Sequence, residues 1–434
     1  MSAPLGWLGI VRMGLVQAAL GAVVVLVTST MNRVMVVELA LPALVPGALV
    51  ALHYVVQVLR PLLGYGSDAG GRRTPWIVGG VASLAMGAVG AAGATALMAA
   101  SPAWGIVLAV PAFVLVGLGV GAAGTSLLAL MAHRVAARRR AAAATILWLM
   151  MIAGIAVTAI VAGRLLDPFT PARLLAVTGG AGVLAILATV LGTAGIEGPA
   201  PAGSPPAHRA FLPALLEVWA EPEARRFALF VFTSMLAYSA QELVIEPFAG
   251  TVFGFTPGES ASLTGLQHAG VLAGMAIVAV GTMLSGEYRD RAMRAWTVGG
   301  CVASAAAIGV LALCSLAGPG APVRLTVLVL GMANGAFAVS AIGAMMGLAG
   351  KGRPAREGTR LGIWGAAQAL AFGAGGLVGT GMADVARAVL GAPPAAYAAV
   401  FAAEATLFLL AAGLALRVFR AGSHPAPTGA LQAG

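Results

Sequence analysis

The sequence predicts an all-α, polytopic membrane protein of about twelve transmembrane helices, arranged as two six-helix halves with pseudo-symmetry. Three observations carry that expectation. Charged residues make up 9% and hydrophobic residues 60% of the 434 positions. A soluble domain carries about 25% charged residues, so this chain lacks the polar groups to cover itself with a water-facing surface. Apolar runs long enough to cross a hydrocarbon core about 30 Å thick recur along the whole chain. The Lys and Arg residues gather in alternate connections between those runs, as the positive-inside rule requires.

The runs fall near 13–38, 42–64, 76–100, 104–131, 144–164 and 172–195, then near 226–250, 262–285, 295–318, 323–349, 361–385 and 394–417. Arg12 precedes an apolar stretch longer than a signal-peptide core, so the first run is read as a retained helix. Residues 1–195 form the expected N-terminal half and residues 226–420 the C-terminal half. Between them, 196–225 carries Pro199, Pro201, Pro205 and Pro206 with Glu217, Glu221 and Glu223, a cytoplasmic linker with one short surface helix. The tail, 421–434, has a disordered composition. Sixty glycines suit helices that pack main chain to main chain, because small residues let helices approach where the hydrophobic effect no longer drives association. Cys301 and Cys314 share one apolar run and are poorly placed to bridge each other.

A net charge of +10 suggests nucleic acid until the charges are mapped. With both termini cytoplasmic, nineteen basic residues from Arg12 to Arg420 lie on the inside and only Arg164, Arg173, Arg324 and Arg387 on the outside. The basic charge therefore serves topology in an inner membrane. The halves also echo each other. Met131 to Trp148 runs from an apolar end through an Arg cluster into a new helix, and Met346 to Trp364 does the same with Lys351, Arg353, Arg356 and Arg360. Such duplication is typical of transporters.

Between the second and third runs, Gly64-x-x-x-Asp68-x-x-Gly71-Arg72-Arg73 matches the loop signature of major-facilitator proteins, except that Ala69 replaces the usual basic residue. Gly64 permits close helix contact, Asp68 caps a helix or pairs with an Arg, and Arg72 and Arg73 hold the loop in the cytoplasm.

Ionisable groups inside the bilayer cost about 2.5–3.5 kcal/mol each at mid-helix on insertion scales and usually face the interior. Arg33 and Glu38 close the first run; Gln241, Glu242 and Glu246 occupy the equivalent part of the seventh. Pairing of Arg33 with Glu242 or Glu246 across the pseudo-twofold is expected to gate or brace the outer mouth; the plainer alternative is snorkelling to the interface. Glu242 is the candidate for a proton-linked carboxylate. His53, Gln57 and Arg60 share one face of the second run, and Gln267 and His268 lie in the eighth. His53, Gln57, Gln267 and His268 are candidate ligand-binding groups, with either His able to ligate the metal of a macrocycle or to serve as a structural hydrogen-bond partner. No zinc-type cluster, phosphate-binding Gly loop or nucleophile–His–acid set is visible, so the chain reads as no enzyme and as having no metal site of its own.

The same residues carry a narrower resemblance. Asn32-Arg33-Val34-Met35-Val36-Val37-Glu38-Leu39 resembles the first-helix signature of the PucC/LhaA family, and Arg60 to Asp68 resembles that family's version of the loop. Gln241-Glu242-Leu243-Val244-Ile245-Glu246-Pro247-Phe248-Ala249-Gly250 is similar to its Gln-Asp-x-Leu-Leu-Glu-Pro-Tyr-Gly-Gly element, continued by Leu263-Thr264. Glu242 stands where Asp is expected and Ala249 where Gly is expected. The resemblance implies light-harvesting complex assembly in a photosynthetic membrane, within the branch associated with bacteriochlorophyll-synthesis genes. Bacteriochlorophyll or a precursor is the implied ligand, and light-harvesting polypeptides and pigment-synthesis enzymes are the implied partners. A proton-coupled transporter of a small molecule and a non-transporting membrane scaffold are the alternatives.

Overall fold

A bilayer offers no water to main-chain N–H and C=O groups, so a spanning segment has to close its own hydrogen bonds as a helix. The computed structural model describes residues 5–60, 63, 72–136, 139–198, 220–285, 288–350 and 357–421. Within them run α1 (Trp7–Glu38), α2 (Leu44–Val56), α3 (Thr74–Met98), α4 (Pro102–Arg134), α5 (Arg140–Leu165) and α6 (Pro171–Thr193). The second set is α7 (Pro222–Phe253), α8 (Pro257–Leu284), α9 (Arg289–Ala317), α10 (Val323–Gly350), α11 (Glu357–Leu390) and α12 (Pro393–Ala421). Eleven of these are long and apolar enough to cross a membrane, and α2 is the shorter apolar helix. Several start or end beyond the sequence expectation, α1 at Trp7 and α11 at Leu390, because helices continue past the hydrocarbon edge where apolarity stops marking them. Most of the linker (199–219), the tail from 422, and Gly64, Asp68 and Gly71 lie outside the described residues.

Helix starts follow the expected chemistry. Proline, whose missing N–H is no loss in a first turn, opens α4, α6, α7 and α8. Thr256 and Glu259 form a reciprocal capping box at α8, and the Thr170 hydroxyl accepts from the Arg173 N–H at α6. Large aliphatic side chains turned outward, such as Leu184 (67% exposed) and Leu313 (64%), meet lipid rather than water.

The packing repeats under a shift of six helices. In the first half α1 packs on α5 and α6, α3 on α4 and α6, and α2 on α4; in the second α7 packs on α11 and α12, α9 on α10 and α12, and α8 on α10. Each half has its own apolar core, one around Leu84, Phe113 and Leu127, the other around Phe248, Phe337 and Phe401. The halves meet through α5 against α8 and α2 against α11, again a pair related by the shift. Cys301 and Cys314 are buried and free.

The expected close helix contacts concentrate in a seam between α8 and α10. A Cβ on Gly270 or Gly274 would run into the main-chain oxygens of Leu328 or Met332, and one on Gly331 or Gly335 into those of Gln267 or Val271. Both helices thus present Gly-x-x-x-Gly faces to each other.

At the end of the bundle that carries the α1–α2, α5–α6, α7–α8 and α11–α12 connections, each half reaches into the other. Asp384 of α11 accepts from the N–H groups of Ala43 (3.0 Å) and Leu44 (2.7 Å) at the start of α2. Asp167, just past α5, accepts from the hydroxyl of Thr256 (2.9 Å) at the start of α8. The shift of six helices carries one contact onto the other.

At the opposite end Glu197, beyond α6, accepts from the N–H groups of Arg73 and Thr74 (2.9 Å) and so caps α3, with Arg72 Nε 4.0 Å away. Desolvation pushes this carboxyl up, but hydrogen bonds from Thr74 and Arg73 and the Arg72 charge outweigh it and hold the pKa below the ordinary value. A depressed carboxyl stabilises the fold above its unfolded pKa, about 4.3, and that contribution is lost as pH falls through the folded value. We expect Glu197→Gln to lose about 1 kcal/mol at neutral pH, as for other helix caps, and the gap to wild type to close below pH about 4. Thermal melts across pH test this; a gap that stays constant with pH refutes it.

Candidate functional site

Two groups of polar side chains stand where the halves meet. The first surrounds Arg33, which is 2% exposed. In an α-helix residues five apart point about 140° away from each other. Here α1 widens into π turns at Leu26–Thr30 and Val34–Glu38, whose i to i+5 bonding brings Glu38 round to the side of Arg33. Arg33 Nη1 donates to Glu38, Nη2 to the Phe255 carbonyl, and Nε to Ser260 Oγ at 3.4 Å. The guanidinium lies across the main chain of α7 at Gly250, where a Cβ would meet Nη2 at 2.9 Å. Asn32 adds a bond to the Leu243 carbonyl (2.7 Å), tying α1 to α7.

The expected pairing of Arg33 with Glu242 or Glu246 is therefore replaced by an ion pair within α1. The expectation assumed α-helical spacing, which would have kept Glu38 on another face. Glu246 is fully buried; one oxygen accepts from the Thr264 hydroxyl of α8 and the other has no partner.

The second group gathers round a cluster of aromatic rings where the halves meet. Tyr54 of α2, Tyr238 of α7 and Phe372 of α11 are partly exposed, with ring centres 5.6 Å apart for Tyr54–Phe372 and 6.0 Å for Tyr238–Phe372. The Glu242 side chain, 26% exposed, opens into the same place and shares a hydrogen bond with Tyr238. His268 Nε2 stands 3.9 Å from Glu242 Oε1. The site thus takes residues from both halves.

The two histidines differ in what they leave free. His53 is 1% exposed behind Tyr54. Arg60 donates to Gln57 Oε1, which turns the Gln57 amide N–H toward His53 Nε2 at 2.9 Å. That nitrogen must accept, leaving Nδ1–H for the Val50 carbonyl at 3.3 Å. Both ring nitrogens of His53 are engaged. His268 donates Nδ1–H to the Thr264 carbonyl at 3.0 Å, which leaves Nε2, 3.9 Å from Glu242 Oε1, outside hydrogen-bond reach of that carboxyl. A carbonyl holding the far N–H is the usual support of a ligating histidine. His268 Nε2 would be free to hold the metal of a macrocycle, whereas both nitrogens of His53 are already engaged.

Gln241 and Gln267 do not join this group. Both are buried, with Gln241 lacking partners for both amide atoms and Gln267 for its nitrogen. Arg72 and Arg73 stand at the Glu197 cap. Sequence reasoning passed over Tyr54, Tyr238 and Phe372, whose convergence needs the fold, and Asp167 and Asp384, and it quoted Asn32 in the first-helix signature without giving it a role. It also passed over Glu404, a carboxylate in the middle of the last apolar run, where the insertion-cost argument applied to Glu242 would have found it.

Residues 30–423 match the family described as PUCC protein. A relative in Rhodobacter capsulatus named bacteriochlorophyll synthase 44.5 kDa chain is 54% identical over 433 residues, 98% of each chain. Protein PucC of Rhodovulum sulfidophilum is 29% identical over 400 residues, 87% of this chain and 85% of its own. Among solved structures, a bacterial homolog of the human lysosomal transporter Spinster aligns with a TM-score of 0.70 at 16% identity, covering 96% of this chain and 98% of that one. A D-xylose–proton symporter aligns with a TM-score of 0.65, also at 16% identity, covering 92% and 96%. These two likenesses speak for the fold alone. The R. capsulatus relative corrects the reading of the chain as no enzyme, since it points to an enzyme-associated protein. A subunit of an enzyme need not hold the catalytic groups itself, so their absence from the sequence was no ground for that exclusion. A match over most of its length makes this multi-pass membrane chain, built on the two-half major-facilitator fold, a member of the PUCC protein family.

Proposed function

We propose that the protein binds bacteriochlorophyll or a precursor between its halves and passes it on during assembly of the photosynthetic apparatus. It works in the inner membrane of a bacterium with both termini cytoplasmic. Its partners are pigment-synthesis enzymes and the light-harvesting polypeptides that receive the pigment. The observation that carries this reading is the Nε2 of His268, turned away from the backbone by the Thr264 carbonyl and set near the partly exposed rings of Tyr54, Tyr238 and Phe372 between the halves. Aromatic rings suit the faces of a flat macrocycle. The relatives' names supply the pigment class.

The chain purified in mild detergent from a bacteriochlorophyll-producing host should carry a near-infrared pigment band. His268→Ala should lose most of it or shift it, and His53→Ala should keep it. A colourless wild type, or a band untouched in His268→Ala, sinks the reading. The partly exposed Glu242 favours one alternative, proton-coupled transport of a small molecule. That alternative predicts a colourless protein that acidifies or alkalinises vesicles with its substrate, abolished in Glu242→Gln.

A further inference from the structure

A second set of polar groups is sealed inside the C-terminal half, away from the aromatic cluster. Glu404 of α12 is 0% exposed and neither carboxyl oxygen has a partner. Gln241 of α7 is as deeply buried, with both amide atoms unpaired, and Gln267 of α8 and Asn334 of α10 each leave the amide nitrogen unpaired. Asn334 Oδ1 accepts from Ser304 of α9 at 2.8 Å.

These residues share one depth. Counted from Pro257, Val323 and Pro393, residues Gln267, Asn334 and Glu404 stand about 15–17 Å along their helices, near the middle of a hydrocarbon core about 30 Å thick. Gln241 and Ser304 lie comparably far from the ends of α7 and α9 at the same side of the bundle. Their helices pack on one another: α7 and α9 against α12, and α8 and α9 against α10. One turn along from Glu404, Phe408 meets Phe337 with ring centres 5.8 Å apart, and Phe337 is one turn along from Asn334. The Glu404 and Asn334 faces thus turn toward each other.

The fold does not call for this layer. Gly182 stands as far from Pro171 as Glu404 does from Pro393, and Phe113 as far from Pro102 as Asn334 does from Val323. The first half is apolar at those places. An unpaired buried amide costs about 1–3 kcal/mol, and an unpaired ionised carboxylate far more. A metal cation would relieve oxygens only, whereas the unpaired atoms are donors and acceptors together. Water satisfies both.

We propose that the interior of the C-terminal half is a hydrated proton-binding site, in which Glu404 takes up the proton and Gln241, Gln267 and Asn334 hold the water around it. The proton enters with water and leaves to it; the carboxylate becomes a carboxylic acid and no other bond changes. Among the described side chains, the titratable or charged groups on the elements packed against α12 are Cys301, Cys314, Arg291 and Arg294 of α9, Tyr238, Glu242, Glu246, Arg225 and Arg226 of α7, and Asp384 and Arg387 of α11.

Infrared spectra of the full chain in lipid nanodiscs test the proposal. The wild type minus Glu404→Gln difference should contain one carbonyl stretch of a protonated carboxyl, which shifts promptly on transfer to 2H2O. No such band, or a band that does not shift, overturns it. Thermal melting gives a second test. Glu404→Leu should melt below both wild type and Glu404→Gln, because Leu removes a group the water needs. A Leu variant that melts above wild type would mark the carboxyl as dry and merely unpaired, and would overturn the proposal as well.

Discussion

Arg33→Met should lower the unfolding free energy by about 3 kcal/mol, the loss expected when a buried charge with several bonds is removed. The loss is spread unevenly. Glu38 is 37% exposed and can turn to water, so it is not stranded. The Phe255 carbonyl and Ser260 lose their donors, and the groove over Gly250 loses what fills it. Arg33→Lys should recover only part, because one ammonium cannot reach three separated acceptors as a planar guanidinium does. Thermal or denaturant unfolding in detergent measures both. A methionine variant within about 1 kcal/mol of wild type would show that the network contributes little.

Gly331→Ala should be of similar severity for a different reason. The added methyl would meet the main-chain oxygen of Gln267, which cannot swing aside as a side chain does. Either α8 and α10 separate along the whole seam or the protein misassembles, so the cost falls at or beyond the upper end of the about 1–3 kcal/mol typical of overpacking. Gly309→Ala is the matched control. That glycine has open space around it, and alanine there should be neutral or stabilising by about 0.5–1 kcal/mol. Equal melting of the two variants contradicts the seam.

The helices and their grouping were legible because the bilayer imposes them: few charges, apolar runs, and Arg residues held to alternate loops. The site was legible in part. Glu242 and His268 stood out as polar groups in apolar runs, and they do meet. What failed was anything that depends on local winding or on distant approach. The partner of Arg33 followed from π turns that no residue pattern announced. The convergence of Tyr54 on Phe372 joins positions far apart in the chain, and both look like ordinary membrane aromatics until the halves are placed together. The two histidines looked equivalent in sequence, and only their neighbours, Gln57 for one and the Thr264 carbonyl for the other, separate them.

The exchange of aspartates between the halves, Asp384 onto the start of α2 and Asp167 onto the start of α8, has a mechanical character of its own. Short acidic side chains meeting main-chain N–H groups and a cap hydroxyl have little slack, unlike ion pairs between long flexible side chains. Such a joint is made or undone over a small displacement instead of yielding gradually. Each half supplies one aspartate and one receiving helix, so neither half can move away from the other without breaking a contact of its own and one of its partner's. The end of the bundle that carries them is built as a latch, not a spring.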